Sequence, residues 1–239
     1  SRIEDSFAVR VASESKLRRF VADASHELRT PLTAIRGFAE LYRQGAVKGE
    51  EQTKELVGRI ENESIRMGAL VEDLLLLARL DQSREMKKEP VNISSVVEES
   101  VASARAAGPD HPINVNAGTE IYVIGDVNRI HQVIANLLAN ARIHTPSGTQ
   151  VNVTVAEEKD AVTVTVADNG PGLNDQDREK IFERFYRADK SRSRSGQEGT
   201  GLGLSIVDAV MRAHGGHVSV DSKVGEGTSF KLVFPLQSA

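Results

Sequence analysis

Cysteine and tryptophan are absent from this chain, and aromatic residues make up only 4% of it. Without cysteine no disulfide framework and no thiolate metal site can form, which is compatible with a reducing compartment but does not require one. So few aromatic side chains argue against a carbohydrate or single-stranded nucleic-acid binder, which would need stacking platforms. Excess positive charge is lacking too: 30 Lys and Arg stand against 34 Asp and Glu, for a formal net charge of -4. That balance argues against a nucleic-acid scaffold, because binding a phosphate backbone needs a concentrated positive field. No apolar run approaches the roughly 18 residues of a membrane span, and no basic-then-apolar leader opens the chain. No repeat of 20 to 50 residues is visible. The first residue is Ser1 rather than methionine, so a longer parent chain is expected.

What is present fits a helical, Leu/Ala/Val-packed protein: 239 residues, 39% hydrophobic and 27% charged. That length is comfortable for two domains, each with its own core. Residues 15–82 read as two long helices. Leu17, Val21, Ala24, Leu28, Leu32, Ile35, Ala39 and Tyr42 recur in steps of three and four with one stutter, the pattern of a coiled-coil seam. Residues 45–49, bounded by Gly45 and Gly49, supply a break. Leu56, Ile60, Met67, Leu70, Leu74 and Leu77 then line a second helix. Two such antiparallel helices leave one seam uncovered, and a second copy of the chain is the simplest cover, giving a four-helix bundle in a homodimer. The other reading is a hairpin that covers a different domain.

Residues 83–90, polar and closed by Pro90, read as a linker. From residue 91 the pattern is mixed. Helices are expected at about 93–106, 128–143 and 203–214, the first capped by Asn92 or Ser94. Strands are expected at 113–116, 120–124, 217–220 and 229–233. Val151, Val153 and Val155, then Val162, Val164 and Val166, alternate with other residues as a strand pair turning near Lys159.

Two groups of residues carry chemistry. The string His26-Glu27-Leu28-Arg29-Thr30-Pro31-Leu32 lies in the first helix, with His26 off the apolar seam. Pro31 cannot donate to the carbonyl of Glu27 and is expected to kink or loosen the helix. An exposed imidazole with an adjacent carboxylate can act as an activated nucleophile, although most lone surface histidines do nothing of the kind. The second group lies beyond residue 91. Asn136 and Asn140 share a helix face and could complete a Mg²⁺ shell rich in phosphate oxygens. Asp168-Asn169-Gly170-Pro171-Gly172 follows a strand, and Asp168 suits the exocyclic amine of adenine. Gly199-Thr200-Gly201-Leu202-Gly203-Leu204 opens a helix whose amides can cradle phosphate. It is neither a Walker loop nor a dinucleotide fingerprint. Gly225-Glu226-Gly227-Thr228 alone would be a hairpin turn.

In this order the motifs, with Ile181-Phe182-Glu183-Arg184-Phe185-Tyr186 between them, resemble those of bacterial sensor histidine kinases of two-component systems, across nearly all of residues 15–236. The resemblance implies a helical dimerisation and phosphotransfer hairpin followed by a Bergerat-type α/β sandwich over 91–239, a mixed sheet with helices on one face. It implies that His26 accepts a phosphoryl group from ATP, that Glu27 assists, and that Thr30 positions water for dephosphorylating a partner. That partner would be the receiver domain of a response regulator, to whose Asp the phosphoryl group passes. It further implies that His144, Gly170, Gly172, Thr200 and Thr228 line the ATP site with the glycines above. Residues 187–198 would form a basic lid, with Arg187 and Lys190 facing the phosphates. Residues 1–14, around Phe7, resemble the end of a HAMP-type signalling helix. The parent would then be a membrane-anchored sensor of which this is the cytoplasmic portion.

One position departs from the family pattern. Many members carry Lys three residues after the second Asn, where this chain has Ile143. Arg142 is adjacent but about 100° round the helix, so phosphate neutralisation is expected to fall on Arg187, Lys190 or Arg192. Ile143 keeps open a second reading, a nucleotide-sensing scaffold without phosphotransfer. A stand-alone gyrase- or chaperone-like ATPase conflicts with the His26 helix. His111, His131, His214 and His217 are expected to be structural or surface residues.

Overall fold

A computed structural model of the chain describes residues 2–81, 86–118, 120–188 and 199–236, with side chains described from residue 18 onward. The chain divides into two compact units, Ser1–Leu76 and Leu77–Ala239.

The first unit is a helical hairpin. Helix α1 spans Arg2–Arg43 and α2 spans Glu50–Asp81, its last turn counted with the second unit. Between them the chain turns through Gly45, whose φ of 70° lies in the left-handed region open to glycine. Helix α1 is unbroken at Pro31. Thr30 and Thr33 hydroxyls donate to the carbonyls of His26 and Arg29, one turn back. Helix α1 thus runs on through Pro31, whose missing N–H leaves one carbonyl without its helical donor. Leu56 and Leu70 of the predicted seam are buried, but Val21, Leu32 and Tyr42 of the same seam are exposed. Side chains of residues 1–14, and Leu17, lie outside the described residues.

The second unit is an α/β sandwich. Five strands, β2 (Ile113–Asn116), β4 (Val151–Glu157), β5 (Ala161–Asp168), β6 (His217–Lys223) and β7 (Gly227–Pro235), form one sheet in the order β2-β4-β5-β7-β6. Only β2 and β4 run parallel, so the sheet is mixed, as expected. Helices α3 (Ile93–Ala107), α4 (Val127–His144) and α6 (Gly203–Ala213) pack with one another and against the strands. Val162, Val164 and Val166 of β5 and Phe230, Leu232 and Phe234 of β7 are buried beside Ile130, Leu137, Ile206 and Val207 of the helices. Period-two alternation puts all the named strand residues on one face, while Asn152 and Thr154 of β4 remain exposed.

Three elements differ from expectation. Strand β1 (Glu89–Asn92) begins inside the segment read as linker and pairs antiparallel with β3 (Tyr122–Gly125) as a separate two-stranded sheet. Pro90 fits there because a two-stranded sheet is all edge. Helix α5 (Asp175–Lys180), capped by Asn174, buries no residue and so carries no apolar periodicity to read. The strand expected at 120–124 starts two residues later, Glu120 standing at φ 54° before it. Asn92 is the cap of α3, accepting from the Ser95 N–H.

Candidate functional site

His26 is exposed on α1 and Glu27 beside it is half-buried. Thr30, also exposed, donates its one hydroxyl proton to the His26 carbonyl at 3.3 Å. Its lone pairs are left to accept from water. The carbonyl of Glu27 has lost its helical donor to Pro31. The arrangement is an open imidazole flanked by a carboxylate and a hydroxyl acceptor within one turn and a half of helix.

In the second unit the strand register brings separated motifs together. Asp168 lies opposite Thr228, and Thr228 opposite Ser222, in one row across β5, β7 and β6. Facing residues in antiparallel strands share a face, so this row continues the apolar row Val166, Phe230 and Val220 on the helix-covered side. The core ends there in three polar side chains. Asp168 accepts from the Gly170 N–H at 2.9 Å. Burial pushes its carboxyl above the usual range, and the backbone N–H groups of Gly170 and Thr228 oppose that rise. A half-buried carboxylate with spare acceptor capacity suits a ligand amine.

Close approaches hold the loops around Asp168. A Cβ on Gly227, which has φ 97°, would overlap the carbonyl oxygen of Asp168. One on Gly172 would overlap that of Lys223, and one on Gly170 would sit 2.6 Å from the Thr145 methyl. Asn169 closes the edge by exchanging hydrogen bonds with Gln150, its Oδ1 accepting at 2.8 Å.

Opposite this floor stand α4 and the start of α6. Asn136 donates from Nδ2 to the Gly203 carbonyl at 3.2 Å, tying the two helices. Asn140, one turn further, is half-buried, and its side chain has no hydrogen-bond partner among the described residues. The two Asn side chains therefore differ: Asn140 is open to a ligand, and Asn136 is engaged in joining the helices. Leu202 N–H is capped by Thr200 Oγ1 at 3.3 Å, and Leu202 and Ser205 are buried. Gly201 accepts from the Phe185 N–H at 2.9 Å, with Phe185 itself at φ 62°. A Cβ on Gly199 would meet nothing within 4 Å. Space at that glycine is what a phosphate cradle requires, and none of the described residues fills it. Gly203 and Leu204 open α6 with their amides at its N-terminus.

Among the described residues no three His, Asp or Glu side chains converge as a metal site. A cation at Asn140 would need phosphate oxygens and water for the rest of its shell, which is how Mg²⁺ is commonly held beside a nucleotide. Arg142 is no substitute for the missing lysine, because its side chain lies across Gly108 at the end of α3, where a Cβ would collide with it. Arg187 is half-buried. Lys190 and Arg192 lie outside the described residues, as does most of the expected lid. His144 ends α4, ahead of Thr145, whose hydroxyl donates to the Ala141 carbonyl at 2.6 Å. His214 is structural, as expected: its Nδ1–H donates to the Val210 carbonyl at 2.8 Å and its Nε2 accepts from the Asp126 N–H at 3.1 Å.

Ser222 was missed by sequence reasoning. It is buried at the β6 end of this polar row, yet its only sequence signal is a serine five residues before a Gly-Thr pair.

Two family models match the chain, one over each of these regions. The family model for the His Kinase A (phospho-acceptor) domain matches residues 16–83. That for the Histidine kinase-, DNA gyrase B-, and HSP90-like ATPase matches residues 125–238. The "Probable sensor histidine kinase TcrY" of Mycobacterium tuberculosis is 47% identical over 98% of this chain and 49% of its own length. The chain thus spans about half the length of the curated relatives it matches. Among solved structures, the mycobacterial sensor histidine kinase MprB is 31% identical, with a TM-score of 0.55, covering 64% of this chain and 99% of that one. Histidine kinase ThkA, in complex with response regulator protein TrrA, is 25% identical, with a TM-score of 0.72, over 95% of this chain and 64% of that one.

Proposed function

This chain belongs to the sensor histidine kinases, and from that premise we propose that it phosphorylates His26 from ATP and passes the phosphoryl group to an Asp of a response-regulator receiver domain. The observation that carries the reading is an exposed His26 beside the half-buried Glu27, together with a floor where Asp168 and Thr228 end an apolar core and a glycine-rich segment that opens α6.

Adenine enters amine-first against Asp168. The triphosphate runs toward Gly199, Gly201 and the N-terminus of α6, whose amides offer hydrogen bonds and a positive dipole end. Asn140, with Asn136 behind it, is the place for Mg²⁺, which would supply charge neutralisation on the phosphates. Arg187 and Lys190 share that task, since Ile143 cannot. At His26 a ring nitrogen attacks the γ-phosphorus as the bond to the β-phosphate bridging oxygen breaks, releasing ADP. The proton on the other ring nitrogen is held or taken by Glu27. Catalysis rests on positioning and charge neutralisation rather than on covalent assistance by the protein.

The hairpin works as a homodimer, its exposed seam covered by a second copy. The ThkA–TrrA complex supports a receiver domain as partner. Thr30, an acceptor facing solvent, supports a reverse task, orienting water for hydrolysis of the partner's phosphoaspartate. The domain limits proposed are 15–82 for the hairpin and 91–239 for the ATP unit. The parent is proposed to be a membrane-anchored sensor extending beyond this chain; no helix among the described residues is long and apolar enough to cross a membrane.

Incubation with γ-labelled ATP tests the reading. Acid-labile label on the wild type, absent from His26→Gln and from Asn140→Ala, is the expected result. ATP binding with no label on the wild type would favour a nucleotide-sensing scaffold instead.

A further inference from the structure

We infer that Ser222 is a positioning residue that fixes the hydroxyl of Thr228 as a hydrogen-bond acceptor toward the base edge, and so helps select a nucleotide carrying a 6-amino group. The inference rests on the proposed placement of adenine against Asp168.

The protons available at Ser222 decide which way Thr228 points its own. Ser222 Oγ has one hydrogen and two lone pairs. It lies 2.8 Å from the Gly227 carbonyl oxygen, which can only accept, so the hydrogen is spent there. It also lies 2.8 Å from the Leu173 N–H, which can only donate, so one lone pair is filled. The third neighbour is Thr228 Oγ1 at 3.0 Å. Ser222 has no proton left for it, so the bond forms only if Thr228 donates. With its proton turned back into the sheet, Thr228 Oγ1 presents lone pairs alone to the other side.

That polarity matters because of what stands beside it. Asp168 is opposite Thr228 in the register, on the same face, and an ionised carboxylate is acceptor-only. The end of the cleft thus carries two adjacent acceptors and no hydroxyl donor. Such an edge receives the two hydrogens of an exocyclic amine, directly or through a water that donates to Thr228. It rejects a 6-oxo purine, whose oxygen would face lone pairs. A free threonine could rotate its hydroxyl and donate to that oxygen; Ser222 removes the option. Ser222 is more than nine-tenths buried, so water cannot readily replace it in this role.

Ser222 also ties the loop after Asp168 to the β6–β7 turn through Leu173 and Gly227, so a loss of affinity alone would not separate selection from support. The discriminating quantity is the ratio of affinities for ATP and for inosine triphosphate, measured by calorimetry on the full chain. Ser222→Ala should reduce the preference for ATP about fivefold, the worth of one net hydrogen bond. In a Thr228→Ala background the same change should leave the ratio unmoved. Equal weakening of both nucleotides by Ser222→Ala would mean a supporting role only and would overturn the inference, as would an unchanged ratio. Ser222→Cys, which keeps the shape but bonds weakly, should fall between wild type and Ser222→Ala and serves if the alanine variant does not fold. Asp168→Asn is the control for the underlying reading: if it fails to disturb the ratio, adenine does not sit at Asp168. If it disturbs the ratio and neither Ser222 variant does, the adenine placement stands and the inference about Ser222 alone is lost.

Discussion

In the hairpin Val21, Leu32 and Ile65 stand more than half exposed, whereas in the second unit Val164, Ile206 and Leu232 have no exposed surface. Both regions are patterned by the same physics, apolar residues at the period of their element. They differ in where the complementary surface comes from. The sheet and helices of the second unit cover each other, so its core closes within one chain. Two helices lying side by side can cover only one stripe of each, and the rest waits for another surface. A self-contained second unit and an open hairpin suit the proposed division into an ATP-binding unit and a dimerising acceptor.

The contrast is broken most readily at the cores. Leu232→Ala should destabilise the second unit by about 2–5 kcal/mol, since the deletion leaves a cavity that a five-stranded sheet cannot collapse. Leu32→Ser and Ile65→Ser should leave that unit's melting unchanged and shift the chain from two copies to one in sedimentation equilibrium. A chain that stays dimeric with both serines in place would mean that these exposed apolar positions do not form the interface.

The glycines allow a finer cut. Gly227→Ala should cost roughly 1–3 kcal/mol of folding stability, because a Cβ there meets a carbonyl oxygen at an unfavourable φ. Gly199→Ala meets nothing among the described residues and should leave the melting temperature without nucleotide unchanged, yet weaken ATP about tenfold by filling room meant for phosphate. Equal ATP affinity in Gly199→Ala and wild type would remove that loop from the cradle.

The reach of sequence reading follows the same division. The hairpin, its turn and the valine strands were legible because the apolar period is long and regular. His26 and Asp168 stand out as candidates because each sits in a dense motif, whereas Asn140 becomes one only through its place in the order of motifs. Strand β1 was hidden by Pro90, which reads as a linker's end although an edge strand tolerates it. Helix α5 buries nothing, so only Asn174, its cap, could have announced it. At Pro31 the helix continues, since losing one N–H does not end a long helix. Arg142 could be set off the nucleotide face by helix geometry, but its rest across Gly108 depends on packing between α3 and α4. Ser222 was out of reach for a different reason: its role exists only once β5, β7 and β6 are in register.

Protonation sets the two regions against each other, in the smallest of the expected effects. In the hairpin, burial together with the neighbouring Glu72 raises the Asp73 carboxyl to about 6. A carboxyl raised in the folded state binds protons more tightly there than in the unfolded chain, so its contribution to stability is complete below the unfolded value of about 4. That contribution is lost as pH rises through 6. In the second unit, burial lowers His214 below its ordinary value, against opposing effects from the Val210 carbonyl and Asp126. Its neutral form is the one that accepts from the Asp126 N–H, so this contribution is present above about 6.5 and lost as pH falls through the lowered value. Taking the pH from 7.5 to 5.5 should therefore strengthen the hairpin and weaken the ATP unit. Thermal melts at the two pH values measure this, with the ATP unit's transition identified as the one that Leu232→Ala moves. Asp73→Asn should remove the hairpin's gain. His214→Gln, which keeps a donor for Val210 and an acceptor for Asp126 without titrating, should reduce the ATP unit's loss. If both transitions move in the same direction in the wild type and neither variant changes its slope, these two buried groups do not govern the acid response of either region.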